Sequence, residues 1–227
     1  MKTFNSIVDK NKKVNYTELA YDAIKKLIMD EEIKQDDLIG ENQIAEYLNM
    51  SRTPVREAIR RLEAEGVLYA KQGLGTFLCR LSLKDIKDVF EVREALEIIA
   101  SRTAIRDITD EEAQKLRSEF LELLERHVRG EKIDRMEFSE MDGKIHNLII
   151  NSAENEYVKL LLDQINFKVN RYRMISFKVS LDLEESTRQH LDLLDCILER
   201  NEEKFTEHIR AHIRWSLKIL QENFDYS

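Results

Sequence analysis

Two groups of residues in this chain have the types and spacing to do chemistry. The first lies in Ser51-Arg52-Thr53-Pro54-Val55-Arg56-Glu57-Ala58-Ile59-Arg60-Arg61-Leu62. Read as a helix beginning near Thr53, this stretch puts Thr53, Arg56, Glu57 and Arg60 on one face and Val55, Ala58, Ile59 and Leu62 on the other. An arginine offers a two-pronged fork to guanine O6 and N7, and the Ser51 and Thr53 hydroxyls at a helix N-terminus suit phosphate oxygens. On a lone amphipathic helix the same arginines would equally read as a solvated face. A short helix around Ile44, Ala45 and Leu48 and the tight link Asn49-Met50-Ser51 come just before it, which is the order that carries a reading helix into a DNA major groove.

The second group is built from histidines, of which the chain has five: His127, His146, His190, His208 and His212. Asp142 and His146 are spaced i, i+4 on one helical stretch, so both project from one face. His190 and His212 each fall mid-way along a later helical stretch among core-type residues (Leu191 and Leu194; Ile209 and Ile213). Neighbouring helices of a bundle can bring all four to one internal point, giving three imidazoles and a carboxylate suited to Zn²⁺, Ni²⁺ or Mn²⁺. Spacing alone leaves the blander reading open, because Asp-x-x-x-His is a common surface pair and a single histidine a common core residue. His208 is one turn before His212, and His127 sits at a helix end as a solvated residue or C-terminal cap.

These residues need elements to hold them. Charged residues make up 35% of the 227, against one proline and six glycines, a composition of long helices and short loops rather than of strands. Tyr16 to about Glu32 reads as a first helix, and Thr53 to Glu65 as a third, with Pro54 in its first turn and Gly66 as C-cap. Val67 to Leu78 changes period and reads as a β-hairpin around Gly73-Leu74-Gly75, a wing whose glycines permit close approach to DNA. From Ser82 on the pattern is helical: a helix capped by Ser82 and carrying Ile86, Val89, Phe90, Val92, Leu96, Ile99 and Ala100, then Thr109 to about His127 with a Thr109-x-x-Glu112 capping box. Met136 to Ser152, Glu156 to about Ser176, Leu183 to about Glu199, and Glu202 to Asn223 follow. The expected fold is mainly α: a winged helix-turn-helix over residues 1–80 and an all-α bundle over 81–227, joined at Arg80 to Leu83. The first dozen residues read as frayed, and Phe167, Phe177 and Trp215 as core.

The net charge of −8 argues against nucleic acid, but its distribution does not: the first 80 residues balance 13 basic against 13 acidic side chains, and Ser51 to Leu62 holds four arginines and one glutamate. No run of 18 uncharged apolar residues occurs and Met1 to Val14 has no apolar block, so neither a membrane span nor a signal peptide is expected and the address reads as cytoplasmic. Cys79 and Cys196 have no CxxC spacing and read as small buried residues.

The run from Ser51 to Gly66, followed by Gly73-Leu74-Gly75-Thr76-Phe77, resembles the winged helix-turn-helix signature of the GntR superfamily of bacterial transcription regulators. The resemblance implies that Arg52 and Arg56 read bases, Ser51 and Thr53 hold phosphates, Arg60 assists at the groove edge, and Gly73 touches the minor groove. One departure is Asn42 in Glu41-Asn42-Gln43, where many members carry an arginine. Asp142-Gly143-Lys144-Ile145-His146, Gln189-His190 and Ala211-His212-Ile213 resemble the metal-binding pattern of the FCD domain, the ligand-binding half of the FadR-like branch. That resemblance implies one divalent ion per chain on Asp142, His146, His190 and His212, commonly zinc or nickel, in a cavity that takes a small carboxylate effector. Arg93 matches an arginine common in such domains and reads as a receptor for the effector carboxylate, or else as half of a structural salt bridge.

Together these readings give a regulator, not an enzyme, that binds a palindromic operator in double-stranded DNA as a homodimer under control of a small carboxylate. The rivals are a metal-dependent hydrolase with an accessory winged-helix docking domain and a protein-binding adaptor. Neither accounts for the arginines, and no nucleophile motif or phosphate loop accompanies the histidines.

Overall fold

The computed structural model describes residues 15–179 and 182–223, with the side chains of Arg135, 175–179 and Asn223 left out. The expectations of frayed residues at the start and a core position for Phe177 lie outside the described residues. Two compact units are present, residues 1–80 and 81–227.

The first unit is built on helices α1 (Tyr16–Met29), α2 (Glu41–Tyr47) and α3 (Arg52–Ala64). Asn15 caps α1 by accepting from the Thr17 and Glu18 amides, which satisfies donors the helix cannot. Ala20, Ile24, Leu27 and Ile28 of α1 are buried with Val55, Ala58, Ile59 and Leu62 of α3. Helix α3 starts one residue earlier than its pattern predicts, with Ser51 as N-cap, and Gly66 lies one place beyond the C-cap Glu65, at φ +66°. That left-handed turn is where glycine has no Cβ penalty. The wing has one strand more than predicted. Strands β2 (Leu68–Lys71) and β3 (Gly75–Leu78) form the expected hairpin, and β1 (Leu38–Ile39) pairs antiparallel with β3, Leu38 opposite Phe77. Two residues are too few to show an alternation in sequence.

The second unit is helical throughout its described residues: α4 (Leu83–Asp107), α5 (Asp110–Val128), α6 (Arg135–Asn151), α7 (Glu156–Val179), α8 (Leu183–Leu198) and α9 (Glu202–Asn223). Helix α4 packs on α9 and α7, α5 on α8, and α6 on α7. The predicted capping box of α5 is formed in both directions between Thr109 and Glu112. Five of these helices carry charged or imidazole residues that are buried: Arg93 and Glu97 in α4, Asp142 and His146 in α6, Arg171 and Arg173 in α7, His190 in α8, His212 in α9. Here the apolar pattern of α4 misleads. Val92 and Ile99 are 46% and 41% exposed, whereas Arg93 and Glu97 are 4% and 1% exposed, so the interior at this level is polar.

Arg200 fastens the corner between α4 and α5. Its guanidinium donates to the Ile105 and Ile108 carbonyls, at 2.5 and 2.7 Å, and to Asp110 at 2.6 Å. Replacing it should orphan carbonyls at a helix end. Arg200→Met is expected to lose about 1–3 kcal/mol of stability in urea unfolding; an unchanged midpoint would show the corner holds without it.

Candidate functional site

In the first unit, α3 turns Ser51, Arg52, Thr53, Arg56 and Arg60 outward, all exposed, over a buried face of Val55, Ala58, Ile59 and Leu62. Ser51 caps the helix by backbone geometry alone and makes no side-chain capping bond, so its hydroxyl is not committed to the helix. Gly73, exposed at the turn of the wing, has φ +76° and open space around a would-be Cβ; the backbone conformation, not crowding, requires glycine there. The fourth arginine has a different job. Arg61 pairs with Glu18 and Glu65 and lies 3.8 Å from the Tyr21 ring centroid, which ties α3 to α1. Sequence reasoning passed over Glu41, at the start of α2, which accepts from both Arg52 and Arg56.

In the second unit, Asp142, His146, His190 and His212 each offer a ligand atom, and those atoms lie within 4.8 Å of one another. All four side chains are buried, His190 completely. Burial drives the pKa of His146 and His212 well below the ordinary imidazole value, with Arg93 adding to the effect at His146 and the neighbouring imidazoles at His212. It lowers His190 as well, against the opposing pull of Asp142. Burial alone would raise Asp142, but Arg173 and the surrounding cationic field outweigh it, and its pKa falls. The set is therefore three neutral imidazoles and one carboxylate, the protonation that ligation requires.

Partners outside the four fix which nitrogen of each ring carries its lone pair. His146 Nδ1 lies 2.7 Å from Glu97 Oε2, a carboxylate that only accepts, so Nδ1 carries the proton and Nε2 the lone pair. At His212, Nδ1 faces Gln189 Oε1 at 2.9 Å, and the Gln189 amide nitrogen donates to Glu185 at 2.7 Å. The Glu185 carboxylate thereby settles which way the amide points, and His212 Nε2 also holds a lone pair. These two Nε2 atoms are 3.3 Å apart. Neither has a proton to share, so the contact is lone pair against lone pair, and a cation between them removes the repulsion. His190 points the same way: both its ring nitrogens are buried without a hydrogen-bond partner, although Nε2 is 3.3 Å from Asp142 Oδ1. Its ring stacks on Phe120, centroids 5.0 Å apart, which holds its plane. The backbone of Ser186, one turn earlier on α8, is the neighbour that bears on the ring from its own helix. A buried nitrogen left unmet is costly, so an ion ligated by Nε2, the nitrogen beside Asp142, would satisfy it. The residues present fit a divalent metal.

Arg173 presses its Nε against Asp142 Oδ2 and donates from Nη1 to Asn170. Arg93 donates to Glu97 through Nε at 2.6 Å, while its Nη2 is buried without a partner. The salt bridge weighed for Arg93 is thus present, and one edge of the same guanidinium is left over for another acceptor. Other expected residues lie elsewhere: His208 is 40% exposed, 4.0 Å from Asp192, and His127 is exposed in the last turn of α5. Cys196 is buried, but Cys79 is only half-buried. Glu97 and Gln189 were missed; the signal for Glu97 was its i, i+4 spacing from Arg93, and Gln189 had none beyond being next to His190.

Comparison with known proteins assigns both units. The family described as "Bacterial regulatory proteins, gntR family" matches residues 16–78, and the FCD domain matches residues 88–214, more than half the chain. The chain belongs to the GntR family, with an FCD domain. Among relatives of this GntR protein, the Nta operon transcriptional regulator of Aminobacter aminovorans is 32% identical, over 78% of this chain and 80% of its own. The uncharacterized HTH-type transcriptional regulator YdhC of Bacillus subtilis is 29% identical over 88% and 89%. The E. coli McbR/YncC structure shares the fold, with TM-score 0.79 at 18% identity, covering 94% of this chain and 100% of that one. The family is one of transcription regulators, not enzymes, and the hydrolase alternative finds no support in it. Among the described residues no helix is long and apolar enough to cross a membrane.

The outer partners make a measurable contribution if they set the ring tautomers. Gln189→Ala is expected to weaken divalent-metal affinity about tenfold or more, read by competition with a chelator of known affinity; equal affinity would show that His212 needs no partner at Nδ1.

Proposed function

We propose that this protein is a repressor that binds a palindromic operator as a homodimer and whose affinity for it is set by a small carboxylate, bound beside a divalent ion in the FCD domain. It works in the cytoplasm, where its DNA is. Similar proteins named as repressors support the sign of regulation: the HTH-type transcriptional repressor RspR of Escherichia coli, 26% identical over 83% of each chain, and the gluconate operon transcriptional repressor of Bacillus subtilis, 27% identical over 85% of this one.

On the DNA side, Arg52 and Arg56 read base edges, Ser51 and Thr53 take phosphates, Arg60 supports the groove edge, and Gly73 brings the wing backbone to the minor groove. Two such heads, one per protomer, match the two halves of a palindrome.

The observation that carries the regulatory half is the lone-pair contact between His146 and His212, with the unmet Arg93 Nη2 beside the same cluster. Asp142, His146, His190 and His212 would hold one zinc or nickel ion per chain, with manganese also admissible for this donor set. Charge then names the effector class. Arg93 and Arg173 balance Glu97 and Asp142, and the three imidazoles are neutral, so a divalent cation adds two uncompensated positive charges to a buried place. A carboxylate offsets one of these charges and a second acidic group on the same small molecule would offset the other, and Arg93 Nη2 supplies donors shaped for a carboxylate. Bound there, the metal would supply positive charge and open coordination positions to that carboxylate. Differential binding of the anion to two states of the dimer is what would shift operator affinity.

Protein purified without chelator should carry about one divalent ion per chain, as a single four-ligand site requires, and His190→Ala and His212→Ala should each lose it; retention of full metal by either would sink the assignment. Arg56→Ala should weaken binding to upstream DNA roughly 5- to 150-fold with the fold unchanged by circular dichroism, and native binding should fall steeply with salt. Unchanged retardation by the variant would remove α3 from the interface.

A further inference from the structure

We infer that Glu41, at the first position of α2, is the positioning residue for the Arg56 fork and sets how sharply this protein distinguishes its operator from other DNA. The inference rests on α3 being the reading helix, as proposed above.

The geometry is specific about which edge of the guanidinium is used. Arg56 Nε donates to Glu41 Oε1 at 3.0 Å and is 3.1 Å from Oε2, and Arg56 Nη2 donates to Oε2 at 3.0 Å. This is the side-on pairing, made with the Nε edge. A guanidinium has five N–H donors, and side-on pairing consumes two of them. The hydrogens at the far end, one on Nη1 and one on Nη2, remain, and that end is the fork that meets guanine O6 and N7 together. A carboxylate on the Nε edge therefore does not compete for the base. It fixes the plane and direction in which the end of the fork points. Arg52 reaches the same carboxylate oxygen that Arg56 Nη2 uses, Nη2 to Oε2 at 3.2 Å, so one acid orders both expected readers.

Structural stability is a poor explanation for this triad. Arg52, Arg56 and Glu41 keep 58%, 44% and 30% of their side-chain surface, and ion pairs so exposed add little to folding. A carboxylate at a DNA-facing edge also works against phosphate binding, so it needs a compensating role. Two follow from one placement. Unheld, an arginine side chain must give up its rotamer freedom on binding, and a buttressed one has already done so. With Glu41 present the triad carries one net positive charge instead of two, which lowers attraction to any phosphate backbone. Both effects raise the ratio of specific to non-specific affinity. The arginines keep Glu41 in the form this needs: hydrogen bonding from Arg56 holds its carboxyl below the usual glutamate range. The Arg61 pairs with Glu18 and Glu65 give the contrast, since there the guanidinium lies over Tyr21 and serves α1 packing.

The test uses the full-length protein, a duplex selected by the native chain from a randomised pool, and a shuffled duplex of the same composition. Glu41→Ala and Glu41→Gln should each bind the selected duplex more weakly and the shuffled one as well or better. The specificity ratio should fall roughly 3- to 10-fold, in line with freeing one or two long side chains. On an Arg56→Ala background, Glu41→Ala should cost no further specificity. Tighter binding of the selected duplex by Glu41→Ala would make Glu41 a mask over the readers and overturn the inference. So would equal weakening on both duplexes with a lowered unfolding midpoint, the signature of a brace between α2 and α3. If Arg56→Ala keeps full discrimination, α3 is not the reader and both proposals fall; if it loses discrimination while the Glu41 variants keep it, only the role of Glu41 is lost.

Discussion

Two imidazole nitrogens stripped of protons face each other at 3.3 Å in a closed interior, and much of the second unit is arranged to keep them that way. Glu97 holds the proton of His146 on Nδ1, and Gln189, itself oriented by Glu185, does the same for His212. Without those partners either ring could turn its N–H toward the other and relieve the contact with an ordinary hydrogen bond. With them the repulsion stands, and only a cation or a wholesale shift of helices relieves it. The fold opposes the second route: Phe120 stacks on His190, and the residues flanking the cluster on α6, α8 and α9, among them Ile145, Leu193, Leu194, Ile209 and Ile213, are buried to 1% exposure or less.

The same constraint explains why α4 carries buried charge at the level of the cluster. A carboxylate aimed at His146 cannot sit buried without a counter-charge, and Arg93, one turn earlier on the helix, supplies it. Arg173 on α7 plays the matching part for Asp142. Helices α4 and α7 meet again at the other end of α4, where Asp85, in its first turn beyond the Ser82 cap, is bonded by both Tyr172 and Lys168. The Tyr172 hydroxyl is held protonated, its pKa raised by burial and by that carboxylate. Tyr172 and Arg173 are neighbours in sequence, so the helix that answers to the ligand cluster also grips the first turn of α4. Any rearrangement of Arg173 must be absorbed by a segment fixed at both places.

How much of this was legible in the sequence depends on whether a residue acts through local spacing or across the fold. The caps of α4 and α5, the buried face of α3 and the Asp142/His146 pair follow from offsets of three and four, which sequence displays directly. That His190 and His212 meet them needed a family resemblance, because convergence of separate helices leaves no local mark. Gln189 is a polar residue of ordinary kind on a charged helix, and nothing in its spacing separates a buried member from a solvated one; Glu97 was marked only by its i, i+4 offset from Arg93. Val92 and Ile99 show the complementary failure: they extend an apolar pattern on α4 and yet face outward. Strand β1 escaped because its pairing with β3 depends on residues far along the chain.

Glu41 belongs with the residues that look ordinary, and its placement bears on how an acidic chain manages DNA at all. With a net charge of −8, such a protein gains little from indiscriminate attraction to phosphate, and α3 stands out as a local excess of base, four arginines against two glutamates. Even there the charge is rationed. Arg61 is spent on Glu18, Glu65 and the Tyr21 ring, and Arg52 and Arg56 share Glu41. Arg60, outward on the same helix, has no acid among the ion pairs of the described residues. The outcome is an interface with many oriented donors and little net charge, and physics gives that combination one advantage. Counterion release scales with net charge neutralised, whereas base readout scales with donors correctly aimed. A surface built this way weakens on the vast excess of wrong sites faster than on the right one.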